Sequence, residues 1–336
     1  MTTNYDIAAI GAALVDTELL VTEQDLTNLQ LEKGLMTLSD AVQQQKNLDR
    51  LREHTDTAKR ACGGSAANSM IAASLLGSTT YLTCQVAKDT DGDFFLSDLN
   101  KAGVTYNQKN QSREGVTGTC LVLITPDAER TMNTCLAISE TISADNIEEE
   151  AVANANWVYI EGYLATSETG KEAARKIVEI ANQNNTKVAL SLSDPGIVQY
   201  FGDAMRYIAE PGLDLIFANE EEAKSFTSTQ SFESAAQEIT KYCHEYAITL
   251  GADGALVGNA DQEWKVAGQD VKAIDTNGAG DAFAGAYLAA INQGASREDA
   301  AEFACKTAAV VVSQMGPRLN AQQAQQIAKE ANFNAP

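Results

Sequence analysis

The stretch Asp275-Thr276-Asn277-Gly278-Ala279-Gly280-Asp281-Ala282-Phe283-Ala284-Gly285-Ala286-Tyr287-Leu288 decides how the chain is read. Gly278 and Gly280 lack a Cβ, so the backbone can turn sharply and bring its N–H groups close to a ligand. The run Ala282–Ile291 is apolar and helical in pattern, which sets those N–H groups at the positive end of a helix dipole. Such a site stabilises anionic oxygens. Asp281, one position further in, supplies a proton acceptor. An anion hole beside a carboxylate base is the equipment for moving a phosphoryl group onto an alcohol.

Other glycine-rich motifs do not fit. A dinucleotide fingerprint would need glycine where Phe283 stands, and no G-x-G-x-x-G follows the first strand, which counts against a Rossmann oxidoreductase. No G-x-x-x-x-G-K-[ST] occurs anywhere, so this is not a P-loop. With only His54 and His244, a three-histidine zinc site is impossible, and no G-x-S-x-G elbow supports a serine triad.

Composition agrees with a soluble enzyme. The 336 residues are 44% hydrophobic and 21% charged, enough for one large core with an appendage. No apolar stretch approaches the ~20 residues of a membrane span, and the N-terminal residues lack the pattern of a signal peptide, so no membrane association and a cytoplasmic location are expected. The six cysteines contain no C-x-x-C pair and read as free, mostly buried thiols. A net charge of −22 without a basic cluster argues against nucleic acid. A polyanionic nucleotide would instead be held by backbone dipoles and Mg²⁺.

Short apolar runs at Ile7–Ile10, Tyr81–Val86, Trp157–Ile160, Val188–Leu192 and Leu213–Phe217 alternate with helical stretches at Ala66–Leu76, Gly92–Ala102, Gly170–Asn182, Phe232–Tyr242, Ala279–Asn292 and Arg297–Gln314. A last helix at about Ala321–Ala331 closes the chain. The alternation predicts an α/β fold with a mostly parallel central sheet covered on both faces. Two stretches break the rhythm. Thr17–Arg60 holds Leu19-Leu20-Val21 and a polar helical region around Gln43-Gln44-Gln45. Gly118–Thr125 and Arg130–Leu136 are β-rich and flank a turn at Asp127-Ala128-Glu129. These excursions could pair into a small sheet that covers the site.

The string from Asp275 to Phe283 resembles the C-terminal signature D-[TV]-x-G-A-G-D-x-F of the ribokinase (PfkB-type) family of carbohydrate and nucleoside kinases, and the resemblance runs through nearly the whole chain. It implies a three-layer α/β/α core of residues 1–16, 61–111 and 137–336, with a β-rich lid of residues 17–60 and 112–136. Asp281 becomes the catalytic base, with Gly278, Ala279 and Gly280 as the anion hole. Arg130, on the lid, is placed like the family arginine that swings onto the γ-phosphate. Gly63-Gly64-Ser65-Ala66-Ala67-Asn68 looks like the G-G-x-x-x-N element. With Asp16, at the end of the first strand, Gly64, Ser65 and Asn68 would hold sugar hydroxyls. Asn219-Glu220-Glu221-Glu222 fits N-x-x-E, which organises Mg²⁺ near the phosphates, so Glu222 is the metal candidate. Thr249-Leu250-Gly251-Ala252-Asp253-Gly254 matches the T-x-G-x-x-G turn against the nucleotide, making Asn219, Thr249, Gly251, Gly254 and Asn277 the cofactor-binding set.

ATP and Mg²⁺ are the implied cofactors, and K⁺ beside the anion-hole loop is a common family feature. Within the family, Thr117-Gly118-Thr119-Cys120, the long insertion Thr17–Arg60 and the closing Gly316-Pro317-Arg318 look most like the bacterial adenosine kinase branch. Adenine would need an apolar slot, to which Leu19, Leu35, Met36 and Cys120 could contribute. Ala12 stands where many adenosine kinases carry Asn, which removes a polar contact. Adenosine is the first substrate expectation; a free furanose, another nucleoside, or a catalytically silent nucleoside-binding role are the alternatives. A small-molecule partner is expected for a monomer or homodimer.

Overall fold

Nine strands form the main sheet of this computed structural model, which describes residues 4–52, 54, 58–108, 114–127 and 129–331. In chain order the strands of the molecule are β1 (Tyr5–Ile10), β2 (Leu14–Leu20), β3 (Met36–Leu38), β4 (Lys59–Gly63), β5 (Thr80–Thr83), β6 (Thr105–Tyr106), β7 (Gly118–Ile124), β8 (Arg130–Cys135), β9 (Ala155–Glu161), β10 (Lys187–Ser191), β11 (Leu213–Asn219), β12 (Cys243–Thr249), β13 (Ala255–Gly258) and β14 (Glu263–Val266). The main sheet runs β14-β13-β12-β11-β10-β9-β1-β5-β6. It is parallel except at one end, where β13 runs antiparallel to both β12 and the edge strand β14.

The five anticipated strands are all present because each is buried on both faces. Ile7, Trp157 and Tyr159 point into one core, packed by the helices Ser65–Leu75, Ala279–Asn292 and Arg297–Val312. Ile10, Val158 and Ile160 point into a second core on the opposite face, under the helices Glu168–Gln183, Pro195–Ala209 and Glu220–Thr227. This is a ribokinase-like α/β fold. Pro195–Ala209, Glu220–Thr227, β13 and β14 are elements that the apolar periodicity did not disclose.

The second sheet, β3-β8-β7-β2-β4, joins the two anticipated excursions. Asp16 is a correction: β1 ends at Ile10, and Asp16 is the third residue of β2, opposite Ala61 and Cys120. The small sheet therefore takes in Leu14–Asp16 and Ala61–Gly63, a few residues on the core side of positions 17 and 60. Ala128 of the expected turn lies outside the described residues, as do residues 53, 55–57, 112 and 113. The helices Glu23–Leu29 and Ala41–Arg50 flank the outer face. There Leu19, Val21, Leu26, Leu29, Leu51, Leu121 and Leu123 form a core of their own. Strand alternation turns Leu14, Asp16, Cys120 and Val122 the other way, toward the main sheet.

The helix Ala279–Asn292 is fixed to the main sheet by aromatic rings. Tyr287 meets Phe217 of β11 edge-on at 5.7 Å and stacks on Phe283 at 6.1 Å; Phe217 also lies 6.2 Å from Tyr159 of β9. Tyr287 is 1% exposed. Tyr287→Ala is expected to cost about 3–5 kcal/mol in denaturant unfolding, the range for deleting a buried aromatic ring.

Candidate active site

A cavity of about 350 Å³ opens where the two sheets face each other, at the carboxyl ends of β9, β10, β11 and β12. Open α/β sheets bind ligands at this end. Its floor begins with the helix Ala279–Asn292. Gly278 precedes this helix in the left-handed region at φ 70°, and a Cβ there would collide with the carbonyl oxygen of Pro317. Both facts restrict the position to glycine. No side chain caps the helix; Ala279 N–H donates to Thr276 O at 3.3 Å, and the amides that follow in the first turn are left for another acceptor.

Asp281 sits in that first turn. Its Oδ1 accepts from the Ser65 hydroxyl at 2.6 Å and its Oδ2 from Asn68 Nδ2 at 3.0 Å. Burial pushes the carboxyl above its usual range, and the Ser65 and Asn68 hydrogen bonds pull it back. Ser65 opens the helix Ser65–Leu75 behind Gly64, whose φ of 93° and contact with the Ala12 carbonyl again restrict it to glycine. Asp16 is buried and lines the cavity; its carboxyl is raised to about 7, mainly by burial, with Arg318 opposing.

Arg130, at the start of β8, reaches across from the small sheet. Its Nε lies 2.8 Å from Asp275 Oδ1, and its Nη2 donates to the Thr276 hydroxyl. Asp275 is fully buried and also accepts from the N–H groups of Asn277 and Gly316, both at 2.9 Å. The arginine is thus anchored on the loop that leads into the Gly278 turn.

Asn219 and Glu222 form a reciprocal helix cap. Glu222 N–H donates to Asn219 Oδ1 at 2.8 Å, while Asn219 N–H and Nδ2 donate to the two Glu222 oxygens at 2.9 and 2.8 Å. Glu222 lines the cavity nonetheless, raised to about 8 by burial. Thr249 and Asn277 also line it. Gly251 and Gly254 do not; they shape the turn after β12, where Leu250 N–H donates to Gly254 O at 2.8 Å. Among the described residues no group of three or more His, Cys, Asp or Glu is arranged to hold a metal ion.

The roof is the inner face of the small sheet: Leu14, Met36, Leu38, Cys120, Val122 and Met132. Cys120 and Met36 stand where an apolar slot was expected. Leu19 and Leu35 do not. Leu19 belongs to the outer core of the small sheet, and Leu35 is 48% exposed.

Two residues were given no role at the site by the sequence, although one of them stands in the quoted Gly316-Pro317-Arg318. Glu161, the last residue of β9, is 1% exposed and lines the cavity. It accepts from Ala66 N–H at 2.8 Å and Ala12 N–H at 3.3 Å. The rule that strand ends carry sites would have found it directly after Trp157–Ile160. The other is Arg318, which donates to Asn68 Oδ1 at 3.0 Å.

Comparison with known proteins gives this geometry a place. Residues 34–324 match the model of the pfkB family carbohydrate kinases. The chain belongs to that family. A probable sugar kinase from Rhizobium etli is 32% identical and superposes with a TM-score of 0.92, covering 98% of this chain and 99% of that one. An adenosine kinase from Sinorhizobium meliloti is 29% identical with the same TM-score, covering 98% and 100%. Adenosine kinase 2 of Arabidopsis thaliana is 27% identical over 93% of this chain and 96% of its own length. As a pfkB-family kinase the chain is a phosphotransferase that acts on a hydroxyl group of a sugar or nucleoside and uses ATP.

The pfkB-type cleft carries a pH signature. Glu161 is raised to about 8 by burial against an ordinary value of 4.5, so the folded state keeps its proton where the unfolded chain has lost it. A raised carboxyl makes stability fall as pH rises, here between about 4.5 and about 8. Glu161→Gln is expected to lose less stability than wild type between pH 5 and pH 8. Urea midpoints of both proteins at the two pH values check this.

Proposed function

We propose that the chain phosphorylates the primary hydroxyl of adenosine, giving AMP, with ATP and Mg²⁺. One observation carries this reading: a carboxylate in the first turn of an uncapped helix lies under a roof of apolar side chains. The roof is suited to an adenine ring and the polar floor to a ribose. Asp16 and Asn68 would take ribose hydroxyls, since a carboxylate accepts from two neighbours and an amide both donates and accepts. Gly64 and Ser65 bring the backbone close to the same sugar, and Cys120 forms part of the slot.

Asp281 then accepts the proton of the attacking hydroxyl. A loose transition state releases that proton late, so a carboxylate of modest basicity suffices. The N–H groups around Gly278, Ala279 and Gly280 stabilise the charge that grows on the transferring and leaving oxygens. Arg130 is near enough to the same loop to add its charge. Asn219, Thr249 and Asn277 line the side on which the nucleotide would lie, with Gly251 and Gly254 shaping that edge from behind.

Glu222 and Asp194 line the cavity, and the absence of a three-residue cluster among the described residues fits Mg²⁺ held through its waters and the phosphates. Bound there, it would neutralise phosphate charge. A monovalent cation fits less well. Each oxygen of Asp275 already accepts a protein N–H, and we derive no step through K⁺.

A second reading is a free furanose, favoured by Ala12, an apolar residue on the cavity wall. A coupled ADP-release assay with ATP–Mg²⁺ and adenosine, inosine, ribose or fructose separates the two. Turnover on adenosine is expected, with Asp281→Asn lowering kcat about 10²–10⁴-fold as loss of a general base does. Turnover on a free sugar alone would move the substrate and keep the mechanism. Silence on every acceptor would favour a binding protein.

A further inference from the structure

Arg318 is 250 residues from Asn68 in sequence and lies in the segment after the helix Arg297–Val312. Its guanidinium makes three contacts. Nε donates to Asn68 Oδ1 at 3.0 Å, Nη1 to Asp98 Oδ2 at 2.8 Å, and Nη2 to Cys62 Sγ at 2.9 Å. Its side chain is 15% exposed, and Asp98 also accepts from Cys62 N–H at 3.2 Å. The main chain is held too: Arg318 O accepts from Gln314 Nε2 at 2.7 Å. The guanidinium is therefore clamped between the helix Thr90–Lys101, β4 and the helix that carries Asn68.

Guanidinium donates and never accepts. Only the oxygen of the Asn68 amide can therefore face Arg318, which turns Nδ2 toward Asp281. A flipped amide would set N–H against guanidinium and carbonyl against carboxylate, two repulsive contacts at once. We propose that Arg318 is a positioning residue for phosphoryl transfer, acting through Asn68 to fix a hydrogen-bond donor on Asp281. The chain Asp98–Arg318–Asn68–Asp281 forms a relay of charge-assisted hydrogen bonds, such as hold reacting groups in other enzymes. It rests on the assignment of Asp281 as base only for its effect on rate.

Charge works in the same direction as orientation. The Arg318 guanidinium lowers the Asp281 carboxyl, as does Arg130. The other groups that face Asp281 are Ser65 and Asn68 as donors, with Asp16, Glu161, Glu222, Tyr159 and Tyr163 as neighbours that interact unfavourably with its charge. Two arginines therefore oppose three carboxyls, and Arg318 is the one joined to Asp281 through a single amide.

The test uses the full chain labelled with [¹³Cγ]aspartate. The Asp281 carboxyl signal is identified by its loss in Asp281→Asn, and its titration is followed in Arg318→Gln and Arg318→Lys. In Arg318→Gln the midpoint is expected to rise, with kcat lower by about 10–100-fold, as for loss of an orienting partner. The KM for ATP should stay within about threefold, since uniform binding is untouched. Arg318→Lys keeps the charge but cannot span three acceptors, so it should restore the midpoint and not kcat. An unmoved midpoint in a folded Arg318→Gln, or full kcat in either variant, overturns the proposal. If Arg318→Gln does not fold, Arg318→Lys decides alone: reduced kcat with a wild-type midpoint and unchanged KM for ATP supports it, and wild-type kcat overturns it. Full activity of Asp281→Asn would instead remove Asp281 as base, while the midpoints would still report whether Arg318 acts on it.

Discussion

The turn at Gly278 is the constraint on which the site depends. The chain arrives there from Asp275, whose carboxylate is buried and saturated by Arg130 and two main-chain amides, so its approach is set. It leaves as a helix whose aromatic residues are locked against Phe217 of β11. Between these two fixed points the backbone must enter the left-handed region directly beneath the Pro317 carbonyl. A side chain on that residue would push the turn outward and carry Asp281 away from Ser65 and Asn68. The uncapped helix start and the placement of Asp281 are thus two consequences of one backbone geometry.

That geometry sits in an acidic environment. Asp16, Glu161 and Glu222 line one cavity with Asp281, in a chain of net charge −22. Burial raises all four carboxyls, and the charge of Asp281 adds to the rise of the other three. Near neutral pH the cleft therefore carries less negative charge than a count of its acids implies. Main-chain amides and Arg318 provide compensation in place: Glu161 takes two N–H groups, Glu222 takes the Asn219 amide groups, and Asn68 brings the influence of Arg318 to Asp281. A triphosphate would add charge to this surface. Surface charge opposes its binding, so oriented N–H groups or a bound cation would have to offset it.

What was legible in the sequence follows from which interactions are local. Strands buried on both faces appear as apolar runs, and the glycine-rich turn with Asp281 is contiguous, so the core of the fold and the centre of the site were both readable. Helix Pro195–Ala209 was missed although it carries Asp194 as a cap and Pro195 in its first turn, where proline is well tolerated. Strands β13 and β14 are only four residues each, too short to show a period. Leu19 was misplaced because composition says a strand is apolar but not which of its alternating faces lines the cavity, and Leu35 stands just before β3, where it is exposed. Arg318 could not be found from spacing at all: its meaning arises only when residues 62, 68, 98 and 318 are brought together.

The seam between the sheets explains how a site with such exact contacts could still admit a substrate. The chain passes between them at Gly11–Ala13, Gly63–Gly64, Val116–Thr117 and Leu136–Ala137, and every passage is bonded to a neighbour. Glu161 holds Ala12 and Ala66; Ser139 Oγ bonds both the N–H and the C=O of Ala13; Asp89 holds Thr117; Ile138 N–H donates to Val116 O. These contacts lie close to the seam, so a rotation of the small sheet about that line would leave them largely intact. Arg130 is different. It starts at the far side of the cavity and ends on Asp275 and Thr276, so the same rotation must break its contacts. Carboxylate and hydroxyl bonds line the seam, and the Arg130 guanidinium joins the far edge of the small sheet to the loop that leads to Asp281. Were the roof to open about the seam, its return would restore the Arg130 contacts with Asp275 and Thr276 and so reset the approach to the Gly278 turn.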